Sequence, residues 1–258
     1  MNSIPKQLFQ FKTWPATGKS RTQEMLEEGA FYCSGPREFD DPHDSQLGAH
    51  VTGSHLDIDR WLLHDMEGIP NLLRKNKMGS ITQLSSQALT DLEDRKVLAA
   101  ATRRRARHHT RVLCLSGDLK SELMWAFYAN SHEGICLCFD TSHEFFRDLK
   151  PVLYTHSPAD VAHMVGSESP IDHLAFCKSL AWQFQKEWRL VFPGDEPKKV
   201  QFPKESLTAI ILGYRFPELL FEGLKQILIK GNYRVEIMRA ERIPNTYELG
   251  FINRGQIG

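Results

Sequence analysis

The chain has 258 residues, 41% of them hydrophobic, and its 32 Lys and Arg balance 32 Asp and Glu. Apolar content near the globular norm with no net charge excludes a disordered chain, and the absence of net charge argues against a dedicated electrostatic binder of nucleic acid. The length suits one domain with a core that needs no disulfide staples, no apolar run nears the roughly 20 residues of a membrane span, and the opening residues lack the pattern of a secretion signal, so a cytoplasmic protein without membrane contact is expected.

In chain order, residues 8–14 read as a strand and 20–28 as a helix, with Met25 and Leu26 facing inward and Gly29 as the stop. A strand over 30–34 ends at Gly35-Pro36. A polar loop rich in Asp and His follows over 37–54, a length that in compact domains usually serves function. Helical patterns cover 56–66 and 82–107. Residues 112–116 form a buried strand, and Ser121 caps a short helix that carries Met124, Trp125, Phe127 and Tyr128. Strands are expected over 134–140, 151–155, 187–192, 208–212, 233–239 and 246–252, with helices over 171–182 and 216–229. Strands and helices interleave through short connections. The pattern predicts an α+β fold over a single domain, 1–258: a mixed sheet, open to a split, with flanking helices and a helical insertion or sub-lobe near 56–110.

Five cysteines, an odd number on apolar segments, read as free thiols in a reducing compartment. Cys136 and Cys138 point the same way from one strand, but two thiols cannot complete a tetrahedral zinc site. No metal cofactor is expected. There is no Walker loop, no Gly-x-Gly-x-x-Gly and no Gly-x-Ser-x-Gly elbow, which disfavours a P-loop ATPase, a Rossmann dehydrogenase and an α/β-hydrolase.

Three clusters can carry chemistry. The first is Phe39-Asp40-Asp41-Pro42-His43-Asp44, where Asp side chains cap backbone amides in a rigid loop or border a site as a substrate loop. Asp41, His43 and Asp44 are also the donors that a divalent metal would use, with further ligands from elsewhere. The second runs from Trp182 to Leu190. Glu187 and Arg189 share one strand face, and Gln185 joins them if the backbone is already extended. A carboxylate beside an amide and a guanidinium can orient a ribose hydroxyl or stabilise positive charge, whereas an exposed pair on an edge strand contributes little. The third is the helix face of Trp125 and Tyr128, which forms either core or the aromatic wall of a nucleotide pocket. Arg103, Arg104, Arg105 and Arg107 end a helix, where cations suit the dipole, and offer weak nucleic-acid contact.

Several stretches in order resemble a bacterial family catalogued as domain of unknown function 2971. They are the segment from Phe31 to Asp44, Val112-Leu113-Cys114-Leu115-Ser116, Met124-Trp125-Ala126-Phe127-Tyr128 with Gly134 to Asp140, and Lys178-Ser179 with Trp182 to Leu190. The resemblance covers roughly 8–192. Asp40 stands where the family has Asn, His43 where it has Phe, and Gln185 where it often has Glu. The order Lys12, then Tyr32 or Ser34, then Gln185-Lys186-Glu187 is similar to that of ADP-ribosyltransferases, which build a split mixed sheet around NAD. Lys12 departs from the Arg or His of that pattern. That similarity implies NAD as cofactor and a transferase or NAD glycohydrolase, acting as a toxin or phage-defence effector on a protein or nucleic-acid acceptor. In it Glu187 stabilises charge on the ribose, Gln185 orients the acceptor, Tyr32 stacks on nicotinamide and Ser34 supports Glu187. Lys12 and Arg189 meet the diphosphate. The competing expectations are a metal-dependent nuclease or phosphodiesterase using Asp41, His43, Asp44 and Glu187, and a non-catalytic module in a defence system that binds a nucleotide or partner through Trp125 and Tyr128.

Overall fold

The computed structural model describes residues 3–15, 18, 20–44, 110–157, 175–194 and 198–258. The expected helices over 56–66 and 82–107, the arginine run 103–107 and the loop beyond 44 lie outside the described residues, as does all but the last residue of the insertion near 56–110.

The chain opens with β1 (Gln7–Lys12). The helix α1 (Arg21–Glu28) follows: Ser20 and Gln23 form a reciprocal capping box, and Gly29 ends the helix at φ 64°, where a side chain would be strained. Next come β2 (Ala30–Cys33) and β3 (Thr110–Ser116). The Ser121 hydroxyl accepts from the Met124 amide and starts α2 (Glu122–Tyr128), as the sequence predicts. Then follow β4 (Ile135–Asp140), β5 (Lys150–Pro151), β6 (Leu153–Thr155), β7 (Cys177–Ser179), β8 (Glu187–Pro193), β9 (Lys198–Gln201) and β10 (Leu207–Leu212). The helix α3 (Phe221–Lys230) leads to β11 (Val235–Arg242) and β12 (Leu249–Ile257).

Eight strands form one mixed sheet in the order β12-β11-β10-β4-β1-β3-β8-β5, and two small sheets pair β2 with β9 and β6 with β7. The α+β reading with a mixed sheet and flanking helices therefore holds. Within the large sheet only β10 and β11 run parallel.

One apolar cluster includes Leu8, Leu113, Leu115, Leu137, Phe139 and Leu190 with Met25, Leu26, Leu224 and Leu228 of α1 and α3. A second includes Phe11, Cys136, Cys138 and Ile211 with Trp125 of α2. Alternation along β4 sends Leu137 to one face and both cysteines to the other, so this strand is buried on both sides. All five cysteines are free thiols.

Three local readings differ from the structure. The expected helix over 171–182 is helical, where described, only at Ala175 and then gives way to β7 and a 3-10 turn, Leu180–Gln185. Lys178 is buried in ion pairs with Asp44 and Glu187, and that tertiary anchorage overrides the helical pattern. The strand over 151–155 breaks at Val152, whose amide donates to the Glu187 carbonyl, while Leu153 turns to the Phe176 carbonyl. The sequence pattern does not predict β9, because Val200 is its only apolar residue. Among the described residues no helix is long and apolar enough to cross a membrane.

Candidate functional site

The sheet is split at its centre. The strand β1 pairs with β4 from Gln7↔Asp140 to Lys12↔Ile135, but with β3 only at Phe9↔Ser116. Farther along β3, the Val112 amide donates to the Ser34 carbonyl at 2.8 Å instead of to β1. The end of β2 thus takes the edge of β3 that β1 vacates. A cavity of about 240 Å³ lies against this opening. Lys12 and Gln10 line it from β1, Cys114 and Ser116 from β3, Glu187 from β8, and Asp41 from the loop after β2.

A buried polar network forms one wall. The register of β3 on β8 sets Cys114 beside Arg189 and Ser116 beside Glu187. Arg189 is fully buried, and its five donors are all used. Two go to Asp44 at 3.0 and 2.7 Å, two to Glu187 at 2.9 and 3.0 Å, and one to the Ala175 carbonyl. Lys178 reaches Gln185 at 2.7 Å, Glu187 at 3.2 Å and Asp44 at 3.3 Å. The Gln185 amide donates onward to the Tyr128 hydroxyl at 2.7 Å. Two cations meet two carboxylates, and aromatic rings cover both: Phe39 lies 5.2 Å from the Arg189 guanidinium and Trp182 lies 5.1 Å from the Lys178 ammonium.

The backbone supports this placement. Lys186 adopts φ 43°, a left-handed geometry costly for a residue with a side chain, and turns the 3-10 segment into β8. The Gly117 amide on the Lys186 carbonyl at 2.8 Å and the Ser116 hydroxyl on the Gln185 carbonyl at 2.7 Å hold the turn. The Glu187 amide donates to the Tyr154 hydroxyl at 2.8 Å.

Charge states follow from these contacts. Burial alone would raise the Glu187 pKa, but the charges of Arg189 and Lys178, with hydrogen bonds from Arg189 and the Cys114 thiol, outweigh it and hold the carboxyl at about 2. Burial, then the Glu187 charge, pushes the Cys114 thiol well up, so it serves as a hydrogen-bond donor and not as a thiolate. Burial also raises Tyr128 and Tyr154, which remain phenols. Lys12 is lowered, chiefly by burial, and pairs with no carboxylate among the described residues. Two buried acceptors on cavity-lining residues, Asp41 Oδ2 and Gln10 Oε1, have no hydrogen-bond partner among the described residues.

Of the residues singled out in the sequence, Lys12, Tyr32, Ser34, Tyr128, Gln185, Glu187, Arg189 and Asp41 all line this one cavity. Trp125 does not: it is fully buried beneath it, edge-on to Phe11 at 5.1 Å, with its indole N–H on the Leu119 carbonyl. Asp44 is buried behind the wall as the partner of Arg189, and His43 is exposed. Arg189 cannot clasp a diphosphate in this arrangement, because its donors are already committed within the protein. One face of the Tyr32 ring is covered by Arg21 at 4.5 Å, and its hydroxyl lies 3.4 Å from Glu38.

Sequence reasoning missed Gln10, Cys114, Tyr154 and Lys178. Lys178 belongs to one of the resembling stretches, but its role is invisible there, since its partners Asp44 and Glu187 come from other elements. Gln10 had a weak signal, a polar residue between the aromatics of a buried strand.

Among the described residues no group of three or more His, Cys, Asp and Glu could hold a metal ion. Asp44 and Glu187 already face Arg189 and Lys178, so a divalent ion would have to displace two buried cations. Of the four residues expected to serve a metal-dependent nuclease, Asp44 and Glu187 are thus committed to Arg189 and Lys178. Comparison with protein-family models, with curated proteins and with solved structures returns no match.

Proposed function

We propose that the protein is an NAD-consuming enzyme of the ADP-ribosyltransferase type, a transferase or a glycohydrolase, that receives the nicotinamide-ribose end of NAD in the central split. One observation carries the reading: Lys12, Tyr32, Ser34, Gln185 and Glu187, drawn from distant segments, line a single cavity where the sheet opens. The ordered motifs that resemble domain of unknown function 2971 support membership of that family.

Loss of nicotinamide leaves positive charge on the ribose, and a fixed carboxylate nearby lowers that barrier. With its pKa held at about 2, Glu187 is ionised at any working pH. Its weak partner is the Cys114 thiol, which a ribose hydroxyl can replace while Arg189 and Lys178 keep the carboxylate in place. Gln185, fixed between Lys178 and Tyr128, presents its amide beside it. The cavity is smaller than the roughly 300 Å³ lower bound of drug-sized pockets, so it takes one end of the dinucleotide.

Nicotinamide release from NAD tests the reading. Glu187→Gln is expected to cut release about 100- to 1,000-fold while the protein still melts cooperatively. Full turnover by that variant would remove Glu187 from the mechanism. A second reading, a nucleotide-binding module, is favoured by the complete neutralisation of Glu187 by two cations. It expects NAD or ADP-ribose to raise the melting temperature with no nicotinamide released.

A further inference from the structure

Asp41 is only 3% exposed, and Gln10 only 9%. Asp41 Oδ1 accepts the His43 amide at 2.8 Å, but among the described residues Oδ2 has no partner, and neither has Gln10 Oε1. Buried acceptors are almost always satisfied, and a carboxylate oxygen left without a donor is among the costlier exceptions. Both residues line the cavity, so the missing donors belong to something that enters it. On β1, Gln10 and Lys12 are two residues apart and share a strand face, about 7 Å from each other. Lys12 adds an ammonium that no carboxylate neutralises among the described residues. The complementary ligand carries hydroxyl donors at one end and an anion at the other. A small cavity further limits it to about the size of a sugar phosphate.

We propose that Asp41 and Gln10 read the sugar of a ribosyl phosphate, whose hydroxyls donate to Asp41 Oδ2 and Gln10 Oε1 while its phosphate sits on Lys12. The choice of ribose rests on the NAD reading above; the pattern of two acceptors and one cation does not. Glu187 acts on the reacting carbon, and Asp41 and Gln10 hold the ring.

Calorimetric titration with ribose 5-phosphate and 2-deoxyribose 5-phosphate tests the assignment. The wild-type protein is expected to prefer the ribose form by about tenfold, the worth of one hydrogen bond to a buried acceptor. Asp41→Asn or Gln10→Met abolishes that preference, whereas Lys12→Met weakens both sugars alike. The free Asp41→Asn protein melts no lower than wild type, because the change replaces a buried acceptor that lacks a donor among the described residues and keeps the bond from His43. An equal affinity for the two sugars in wild type, or a preference untouched in both variants, overturns the proposal. Nicotinamide release is followed in parallel. Sugar preference without release sinks the enzyme reading and keeps this one; release without sugar preference does the reverse.

Discussion

Arg189 shows how one side chain sets the state of the site. It grips Asp44 and Glu187 in two parallel forks, a geometry that lysine cannot reproduce. Removing it leaves two buried carboxylates with Lys178 alone. Arg189→Met is therefore expected to lose about 3–5 kcal/mol of stability, and Arg189→Lys to regain less than half of that, as read by urea unfolding. A loss under about 1 kcal/mol for Arg189→Met would mean that water, not Arg189, compensates these carboxylates. The Glu187-Arg189 alternation was legible in the sequence, because strand periodicity alone puts the two on one face. Their burial was not legible. It depends on Asp44, 145 residues away, and on Lys178, whose strand reads as helix.

At the scale of elements, the split depends on where β1 stops. Gly134 lies immediately before β4, in the turn that holds three consecutive left-handed residues, Asn130, Ser131 and His132. A Cβ on Gly134 would lie 2.2 Å from the Lys12 carbonyl oxygen, so the turn packs against the strand end that carries Lys12 into the cavity. Gly134→Ala must push β1 away. The expected result is a loss of about 1–3 kcal/mol and weaker binding of anionic ligands. Gly223 in α3 is the contrast: a Cβ there meets nothing within 4 Å, and Gly223→Ala is expected to stabilise by up to about 1 kcal/mol. Thermal melts of both variants check the pair, and equal effects would show that Gly134 is an ordinary turn glycine. Caps and stops such as Ser121 and Gly29 are readable because their chemistry is local. A glycine kept for close approach to another strand is not, since the approaching atom belongs to a distant residue.

For the whole molecule, alternating and helical apolar patterns were enough to place most strands and the mixed sheet, because burial on each face is written in the residues themselves. The central opening was not, since it comes from Ser34 taking the Val112 amide that β1 leaves unpaired. The buried network beside this opening has a global consequence in acid. Glu187 titrates at about 2 in the folded protein and near its ordinary 4.5 when unfolded. Between those values the unfolded chain binds more protons, so stability falls as pH falls. The contribution is fully present above about 4.5 and is lost on the way to 2, which removes about 2 kcal/mol by pH 3. Other carboxylates also protonate over this range, and the growing positive charge strains the fold. Comparison with Glu187→Gln isolates the one group, because those background effects are common to both proteins. Urea unfolding at pH 6 and pH 3 should show the wild type losing about 2 kcal/mol more than Glu187→Gln. Equal losses would mean that Glu187 is not held by Arg189 and Lys178 in solution. The fixed anion on which the proposed chemistry depends would then have to be sought at Asp41 instead.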